Sequence, residues 1–243
     1  MGPSPTIYEL DPYNTTSLQA HEIGQVGYDK YGDIYRYTRA ATTATDYVAG
    51  KLLVSLAKES LHQNIALSVA AAVGAKVVKP TVGAMAVDAN EYDAGILVFQ
   101  DVSPEGEWYR ITSHDASISG SEAIDVNLER PLKTVATTSS EVSLNRSQWN
   151  NPAISQLIAE RAAGIPVIDW DVSVGNFGWV KTRGWAACLV DTQAITTGYK
   201  ATISNSVDGA IGVLSDLDAE FEVGQVGPTG TATEYAPIYL TID

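Results

Sequence analysis

The side chains that most often perform catalysis are scarce in this chain of 243 residues, which has three histidines and one cysteine. The histidines are His21, His62 and His114, and their spacing matches no zinc-binding pattern such as H-E-x-x-H. We interpret His114, together with the Asp115 that follows it, as part of a surface turn and not as a catalytic dyad. No G-x-S-x-G motif is present either. The sequence therefore predicts a protein that is not an enzyme and that has no cofactor and no metal.

Two groups of carboxylates are the remaining candidates for chemistry. Asp169 and Asp171, in the stretch DWD, would lie on one face of a strand, and paired carboxylates perform glycoside hydrolysis. Asp216, Asp218 and Glu220, in DLDAE, repeat this spacing and could coordinate Ca²⁺ with backbone oxygens. Neither group has the D-x-D-x-D-G loop. Solvated strand faces of an acidic protein account for both groups, and the sequence leaves a cation at the second group open.

The stretch NFGWVKTRGWAACLV contains the only cysteine and reads as one long strand. Its alternation places Trp179, Lys181 and Arg183 on one face, which meets either solvent or a neighbouring subunit. Gly184 interrupts the alternation, as at a bulge or bend. Beyond it both faces are apolar, which predicts a strand that is covered on both sides. Cys188 is then a small buried side chain and not a reactive thiol.

Composition and charge exclude several kinds of partner. Apolar residues make up 45% of the chain, as in ordinary globular proteins, and charged residues only 18%. The net charge of −14 predicts repulsion from nucleic-acid phosphates and from anionic membranes, so we expect neither partner. The longest apolar run, Ile65–Val73, is too short to span a bilayer, and the N-terminus lacks the features of a secretory signal. We expect a soluble protein that is made in the cytoplasm.

Most of the chain has the pattern of short strands separated by glycine-containing turns. The motif E-(I/V)-G-Q-V-G occurs at residues 22–27 and again at 222–227, each time before a turn and a tyrosine-containing strand. Both copies predict β-hairpins, and their likeness suggests two related modules. Pro80 in KVVKPTV indicates an edge strand. The fold class predicted is mostly β, with antiparallel β-barrel or sandwich modules.

One helix is predicted near 152–163, with Asn151 as its cap and Pro152 at its first position. We place it as a hinge between an N-terminal β domain, residues 22–145, and a C-terminal β-barrel-like domain, residues 146–243.

Residues 1–21 lack periodicity and contain three prolines, which predicts an extended N-terminal arm. Ile7, Tyr8, Leu10 and Tyr13 are apolar side chains that are costly to leave in water. The arm is therefore either a mobile terminus or a segment that docks on a neighbouring subunit. Under the second alternative these four residues, like the face of Trp179, Lys181 and Arg183, contact the capsid or another subunit.

Several stretches resemble virion structural proteins of tailed bacteriophages, especially of marine and cyanobacterial phages. They are GQVGYDKYGDIYRYTRAATTATDYVAGKLL, VDANEYDAGILVFQDVSPEGEWYRITSHDA with DVNLERPL and TTSSEVSL, and GNFGWVKTRGWAACLVD with APIYLTID. The resemblance covers residues 22 to 243, and the segment 152–163 is less typical of it. It implies a head decoration (cement) protein on the capsid exterior, made in the host cytoplasm. Such proteins form trimers at local three-fold positions, and the partner would be the major capsid protein.

Two other functions remain open at this point. A tail-associated protein that binds or depolymerises carbohydrate would use tryptophan side chains for stacking and Asp169 with Asp171 as acids. The chain has five tryptophans, Trp108, Trp149, Trp170, Trp179 and Trp185. A major capsid protein is a weaker alternative, because its long spine helix has no counterpart in this sequence. Head or tail location and oligomer number are not determined by the sequence.

Overall fold

The structure, a computed structural model, describes residues 10–40, 46–156, 161–174, 176–213 and 221–243. The regular secondary structure of the described residues is almost exclusively β-strand, with a single turn of 3₁₀ helix at Ser60–His62. This confirms the predicted fold class in its main feature. The strands are β1 Val26–Tyr28, β2 Ile34–Arg39, β3 Leu53–Val54, β4 Ile65–Val69, β5 Val77–Pro80, β6 Ile96–Asp101, β7 Trp108–His114, β8 Val126–Leu128, β9 Glu141–Asn145, β10 Ala153–Ile154, β11 Ala162–Pro166, β12 Phe177–Leu189, β13 Lys200–Ile203, β14 Ile211–Val213, β15 Glu222–Val226 and β16 Tyr235–Thr241.

The chain divides into two compact units, one of which is discontinuous in sequence. Residues 57–150 form one unit, which we call the barrel unit. Residues up to 56 and from 151 onward form the other, which we call the sheet unit. The predicted division into 22–145 and 146–243 differs from this arrangement, because the hairpin at the start of the chain clusters with the C-terminal strands.

The barrel unit is a closed six-stranded barrel with the strand order β4-β5-β8-β7-β6-β9, and every neighbouring pair is antiparallel. Alternate residues point inward, as a strand's period of two requires. Leu97 and Phe99 of β6 and Tyr109 and Ile111 of β7 are all buried in its core. Barrel closure removes the unpaired edges that open sheets present.

Pro80 was predicted to mark an edge strand, and the barrel shows that this prediction is wrong. Strand β5 pairs with β4 on one side, where Pro80 lies opposite Leu67, and with β8 on the other. Pro80 is tolerated because it is the last residue of β5 and because β4 has an irregular register beside it, between Leu67 and Val69. Its carbonyl still accepts a hydrogen bond, from the N–H of Ile124 at 3.1 Å.

The sheet unit is one ten-stranded sheet organised around the 13-residue strand β12. The order is β10-β3-β11-β12-β16-β15-β13-β14, and β2, with β1 beyond it, also pairs with β12. Both copies of the repeated motif form hairpins as predicted, β1 with β2 and β15 with β16. The second strand of each hairpin pairs with β12, β2 along its first half and β16 along its second.

The predicted helix near 152–163 is absent from the described part of that segment, and residues 157–160 lie outside it. Ala153–Ile154 is strand β10, which pairs with β3, and the segment from Ala162 belongs to β11. Backbone groups that would form hydrogen bonds within a helix instead form them with residues distant in the sequence. The carbonyl of Pro152 accepts a hydrogen bond from the buried Tyr47 hydroxyl, and the N–H of Ser155 donates to Leu52 at 3.0 Å. Capping residues express only a local preference, which long-range pairing overrides.

Each unit has its own hydrophobic core, and paired cavity mutations test this. Leu97 in the barrel unit and Ile238 in the sheet unit are both fully buried. We expect Leu97→Ala and Ile238→Ala each to lower the free energy of unfolding by about 2–5 kcal/mol. Hydrogen exchange should quicken mainly within residues 57–150 for Leu97→Ala and mainly outside them for Ile238→Ala. Equal acceleration throughout the chain for both variants would contradict separate cores.

Candidate functional site

Three of the predicted contact residues are buried, and two of them, Leu10 and Trp179, belong to one apolar cluster. Leu10 and Trp179 pack in one cluster with Tyr35, Tyr37 and Phe177. The packing is tight, because a Cβ atom added to the neighbouring glycine of β1 would lie 2.9 Å from both side chains. Leu10 and Trp179 therefore contribute to the core of the sheet unit and are not accessible to a partner.

The described part of the N-terminal arm, residues 10–21, lies on its own chain. Thr16 exchanges two backbone hydrogen bonds with Phe177, at 2.8 and 3.0 Å. The N–H of Ala20 donates to the hydroxyl of Tyr37 at 3.0 Å. Tyr13 stays 69% exposed, so of the two predicted arm contacts that the structure describes, Leu10 and Tyr13, it is the one that a partner or ligand can reach. The predicted contacts Ile7 and Tyr8 lie outside the described residues.

Lys181 and Arg183 were predicted on one face, and the structure separates them. Lys181 is buried, forms an ion pair with Asp33 and donates a hydrogen bond to the carbonyl of Trp185 at 2.6 Å. Its ammonium nitrogen also lies 5.5 Å from the centre of the Tyr35 ring. Arg183 is exposed. The cause is a register shift between Lys181 and Arg183 in the pairing with β2, directly before the predicted interruption.

Gly184 couples this bulge to the ion pair. Its φ is 99°, a conformation that side chains of L-residues rarely adopt. A Cβ atom built on Gly184 would lie 1.8 Å from Oδ1 of Asp33, so the carboxylate occupies the space that a side chain would need. The absence of a side chain at this position lets Asp33 reach Lys181.

Beyond the bulge, β12 is covered on one side only, which corrects the prediction of a strand covered on both. In the pairing with β16, Trp185 lies opposite Tyr239, and Leu189 lies opposite Tyr235. Residues that face each other in an antiparallel pair share a side of the sheet. Trp185, Tyr235 and Tyr239 are 54%, 51% and 37% exposed. We call these three side chains the aromatic face.

The opposite side of β12 is core, and there the prediction for Cys188 is confirmed. Its thiol is fully buried in a cluster that includes Ile238 and Leu240 of β16. Burial raises the pKa of the Cys188 thiol above its usual range, because the low-dielectric interior disfavours the thiolate.

A cleft of about 530 Å³ lies beside the bulge, and we call it the tyrosine cleft. Its aromatic walls are Tyr13 from the arm, Tyr35 from β2 and Tyr235 from β16. Lys181 and Asp169 supply its charged groups. The remaining lining residues are Trp185 and the aliphatic or small residues Val48, Ala49, Gly50, Ile165, Pro166, Val167, Ala186 and Ala187.

The carboxylates Asp169 and Asp171 point outward on either side of the buried Trp170, as the alternation predicts, but they hold different partners. Asp169 accepts a hydrogen bond from the N–H of Ala49 at 2.8 Å. Asp171 accepts from the hydroxyl and the N–H of Ser173, and these bonds lower the pKa of Asp171. The second predicted group, Asp216, Asp218 and Glu220, lies outside the described residues.

The five tryptophans differ in exposure. Trp170 and Trp179 are buried and Trp149 is half-buried. Trp108 and Trp185 are the exposed ones, and they belong to the barrel unit and the sheet unit respectively.

A buried polar chain in the barrel unit was missed by the sequence reasoning. Nε2 of His114 accepts a hydrogen bond from the N–H of Tyr92 at 2.9 Å, and its Nδ1 lies 2.8 Å from the carbonyl oxygen of Asp115. The Tyr92 hydroxyl lies 2.6 Å from Nδ1 of the buried His62. The predicted surface position of His114 is therefore wrong, because a bulge between Ile111 and Ser113 turns the end of β7 inward.

Within the described ranges, no three His, Cys, Asp or Glu side chains group closely enough to hold a metal ion. A search of the same residues finds no helix with the length and apolarity to cross a membrane. No protein-family model, no curated protein and no solved structure matches the chain. The arrangement of the aromatic face and the tyrosine cleft is therefore the basis for a functional proposal.

Gly184→Ala tests the coupling between the bulge and the ion pair. We expect it to lower the free energy of unfolding by about 3 kcal/mol or more, because it adds backbone strain and displaces Asp33 from Lys181. Chemical denaturation measures this cost.

Gly32→Ala is the matched control, because Gly32 also has a positive φ, of 86°, but has open space around it. We expect this variant to show the strain alone, about 1 kcal/mol. In an Asp33→Ala background, Gly184→Ala should cost no more than the control. An undiminished cost in that background would show that Asp33 is not the obstacle.

Proposed function

We propose that this chain is a non-enzymatic structural protein of a tailed-phage virion, a head decoration protein that binds the outer surface of the capsid and stabilises it. The resemblance of residues 22–243 to such virion proteins supports the class of protein. The aromatic face is the structural observation that supports a docking role. The homotrimer and the major capsid protein as partner rest on the resemblance.

The aromatic face has the properties of an anchor for another protein. Trp185 and Tyr239 meet edge to face, with ring centroids 5.5 Å apart. The Trp185 ring also lies against Gly227, where an added Cβ would come within 2.6 Å of it. The rings are thus held by packing while large parts of them face outward. Covering such a side chain contributes about 1.5–3 kcal/mol, and tryptophan and tyrosine are enriched among the residues that dominate binding.

Polar groups lie on the strands beside the aromatic face. Gln225 lies opposite Tyr239 on the neighbouring strand β15 and is exposed. Lys200 of β13, opposite Gln225, forms an exposed ion pair at 2.6 Å with Glu222 of β15. An apolar centre with a polar rim is the usual organisation of a protein–protein interface.

A capsid presents many equivalent binding sites, so each single contact needs only a modest affinity. A trimer that engages several capsid subunits at once gains avidity from the joined sites, so one aromatic face per subunit is sufficient with modest affinity. The sheet unit, with its strands in one hydrogen-bonded sheet, supplies the rigid body that such a clamp needs. Because Leu10 is buried in the core of the sheet unit, we assign capsid binding to the aromatic face and not to this part of the arm.

The proposal predicts many copies of this protein on the heads of purified virions. Particle mass spectrometry and cryo-electron microscopy measure copy number and position. We expect density on the outer shell at local three-fold positions. Absence from the particle, or density restricted to the tail, would refute the proposal.

Substitutions on the aromatic face test the docking surface. We expect Trp185→Ser and Tyr239→Ser each to weaken binding to capsids that lack the protein by about tenfold or more, because buried aromatic anchors contribute about 1.5–3 kcal/mol. Co-sedimentation with such capsids measures the binding.

Tyr31→Ser is the control, because Tyr31 is also exposed, at 78%, but lies in the turn between β1 and β2. It should bind as the unchanged protein does. Equal binding by all three variants would remove the aromatic face as the docking surface while leaving the virion location to the particle measurement.

A further inference from the structure

The tyrosine cleft has the size and the mixed lining of a small-molecule site, and it extends beyond the aromatic face, with which it shares Trp185 and Tyr235. Its volume of about 530 Å³ lies within the range of ligand pockets, about 300–1,000 Å³. All its lining residues belong to the sheet unit. We propose that the tyrosine cleft binds a neutral saccharide, a function beyond attachment to a capsid.

The walls of the cleft suit the apolar faces of a sugar ring. Tyr13 and Tyr235 are 69% and 51% exposed, so their rings are accessible to a ligand in the cleft. An aromatic ring has a negative face, which attracts the weakly positive C–H groups on the flat side of a pyranose. Val48, Ile165 and Pro166 extend the apolar lining. A ligand with an apolar face of ring size is therefore favoured over a fully solvated one.

The cleft also offers partners for hydroxyl groups. An ionised carboxylate has about four acceptor positions. The exposed Asp169 uses one oxygen for the N–H of Ala49, at 2.8 Å, which fixes the carboxylate in place. The phenol groups of Tyr13 and Tyr235 both donate and accept. Saccharides present hydroxyls around an apolar ring face, and this lining provides for both.

The charges in the cleft disfavour an anionic ligand. The ammonium group of Lys181 is neutralised by Asp33, and its hydrogen bond to the carbonyl of Trp185 directs it into the wall. Asp169 adds a negative charge, and the whole chain has a net charge of −14, so an anionic ligand is repelled. These charges disfavour a sugar acid. The preference for a sugar over an ammonium compound rests on the hydrogen-bonding groups of Asp169, Tyr13 and Tyr235.

The far wall of the cleft is preorganised. Gly50 has a φ of 77°, and a Cβ atom there would lie 2.5 Å from Cε1 of Tyr235. The backbone of Gly50 is itself fixed, because its N–H donates to Pro166 at 3.0 Å and its carbonyl accepts from Leu189 at 2.9 Å. The Tyr235 ring therefore rests on a fixed backbone segment. A wall that is ordered before binding reduces the entropy lost when a ligand binds.

Saturation-transfer difference NMR on the full chain tests the proposal. The probes are the methyl glycosides of glucose, galactose, mannose and N-acetylglucosamine, with maltose and cellobiose, at millimolar concentration. We expect saturation transfer to the ring C–H protons of at least one probe. Tyr13→Ala and Tyr235→Ala should each weaken its binding by about tenfold, which corresponds to about 1.4 kcal/mol and lies within the range of an aromatic contact. Tyr13→Phe should retain most of the binding, because the ring remains.

Trp108→Ala is the matched control, because Trp108 is comparably exposed, at 48%, but belongs to the barrel unit. It should leave saccharide binding unchanged. Sodium glucuronate, choline chloride and a proline-rich peptide serve as competing classes of probe.

Three outcomes would overturn the proposal. They are no transfer to any saccharide, stronger binding of glucuronate, choline or the peptide than of every neutral sugar, and saccharide binding that neither Tyr13→Ala nor Tyr235→Ala weakens. Tyr13 lies on the surface, so its variant keeps the test decisive even if Tyr235→Ala does not fold.

Discussion

The architecture of the sheet unit depends on one strand that pairs with two hairpins. Strand β12 pairs with β2 along residues 177–183 and with β16 along residues 183–189. The pairing with β2 shifts its register between Lys181 and Arg183, where the pairing with β16 begins. Gly184 lies at that point, and the carboxylate of Asp33 occupies the volume that a Cβ atom would need. The same carboxylate forms the ion pair with the buried Lys181. Gly184 therefore provides both the backbone conformation of the bulge and the space for the carboxylate that compensates the charge of Lys181. The cleft lies beside this position.

The barrel unit is inserted between two strands of the sheet unit that pair with each other. Strands β3 and β10, which precede and follow the barrel unit, are themselves partners, with Val54 opposite Ala153 and Leu53 opposite Ile154. The two ends of the insertion are therefore adjacent, and a domain can be inserted at such a point without disturbing the sheet. This also explains why the linear division expected from the sequence differs from the observed one. Local patterns reveal strands, whereas the partner of each strand is set by contacts far apart in the chain.

The features that were predicted correctly are those for which neighbouring residues carry enough information. Alternation placed Cys188 in the core, and the repeated motif identified both hairpins. The predictions failed where a distant contact or a bulge decides the outcome. Asn151 and Pro152 favour a helix locally, but hydrogen bonds to β3 and to Tyr47 hold that segment as a strand. His114 would point outward in a regular strand, and a bulge turns it inward.

The candidate surfaces could not be predicted from the sequence for a related physical reason. Alternation showed two apolar sides of β12 but not which side another layer would cover. The tyrosine cleft combines residues from the arm, β2, β11, β12 and β16 with the segment around Gly50, and no short stretch contains its pattern.

The aromatic face and the tyrosine cleft are neighbours that share part of one strand but extend in different directions. The Trp185 ring lies against Gly227, which is outside the cleft, whereas its carbonyl accepts the hydrogen bond of the cleft residue Lys181. Trp185 and Tyr235 line the cleft and also belong to the aromatic face, and the Tyr235 ring contacts Gly50 at the cleft wall. Tyr13 belongs to the cleft alone, and an effect of one ligand on the other would pass through the two shared residues. Because such coupling is reciprocal, a sugar that fixes the Tyr235 ring would change the affinity for the partner by the same factor as the partner changes the affinity for the sugar.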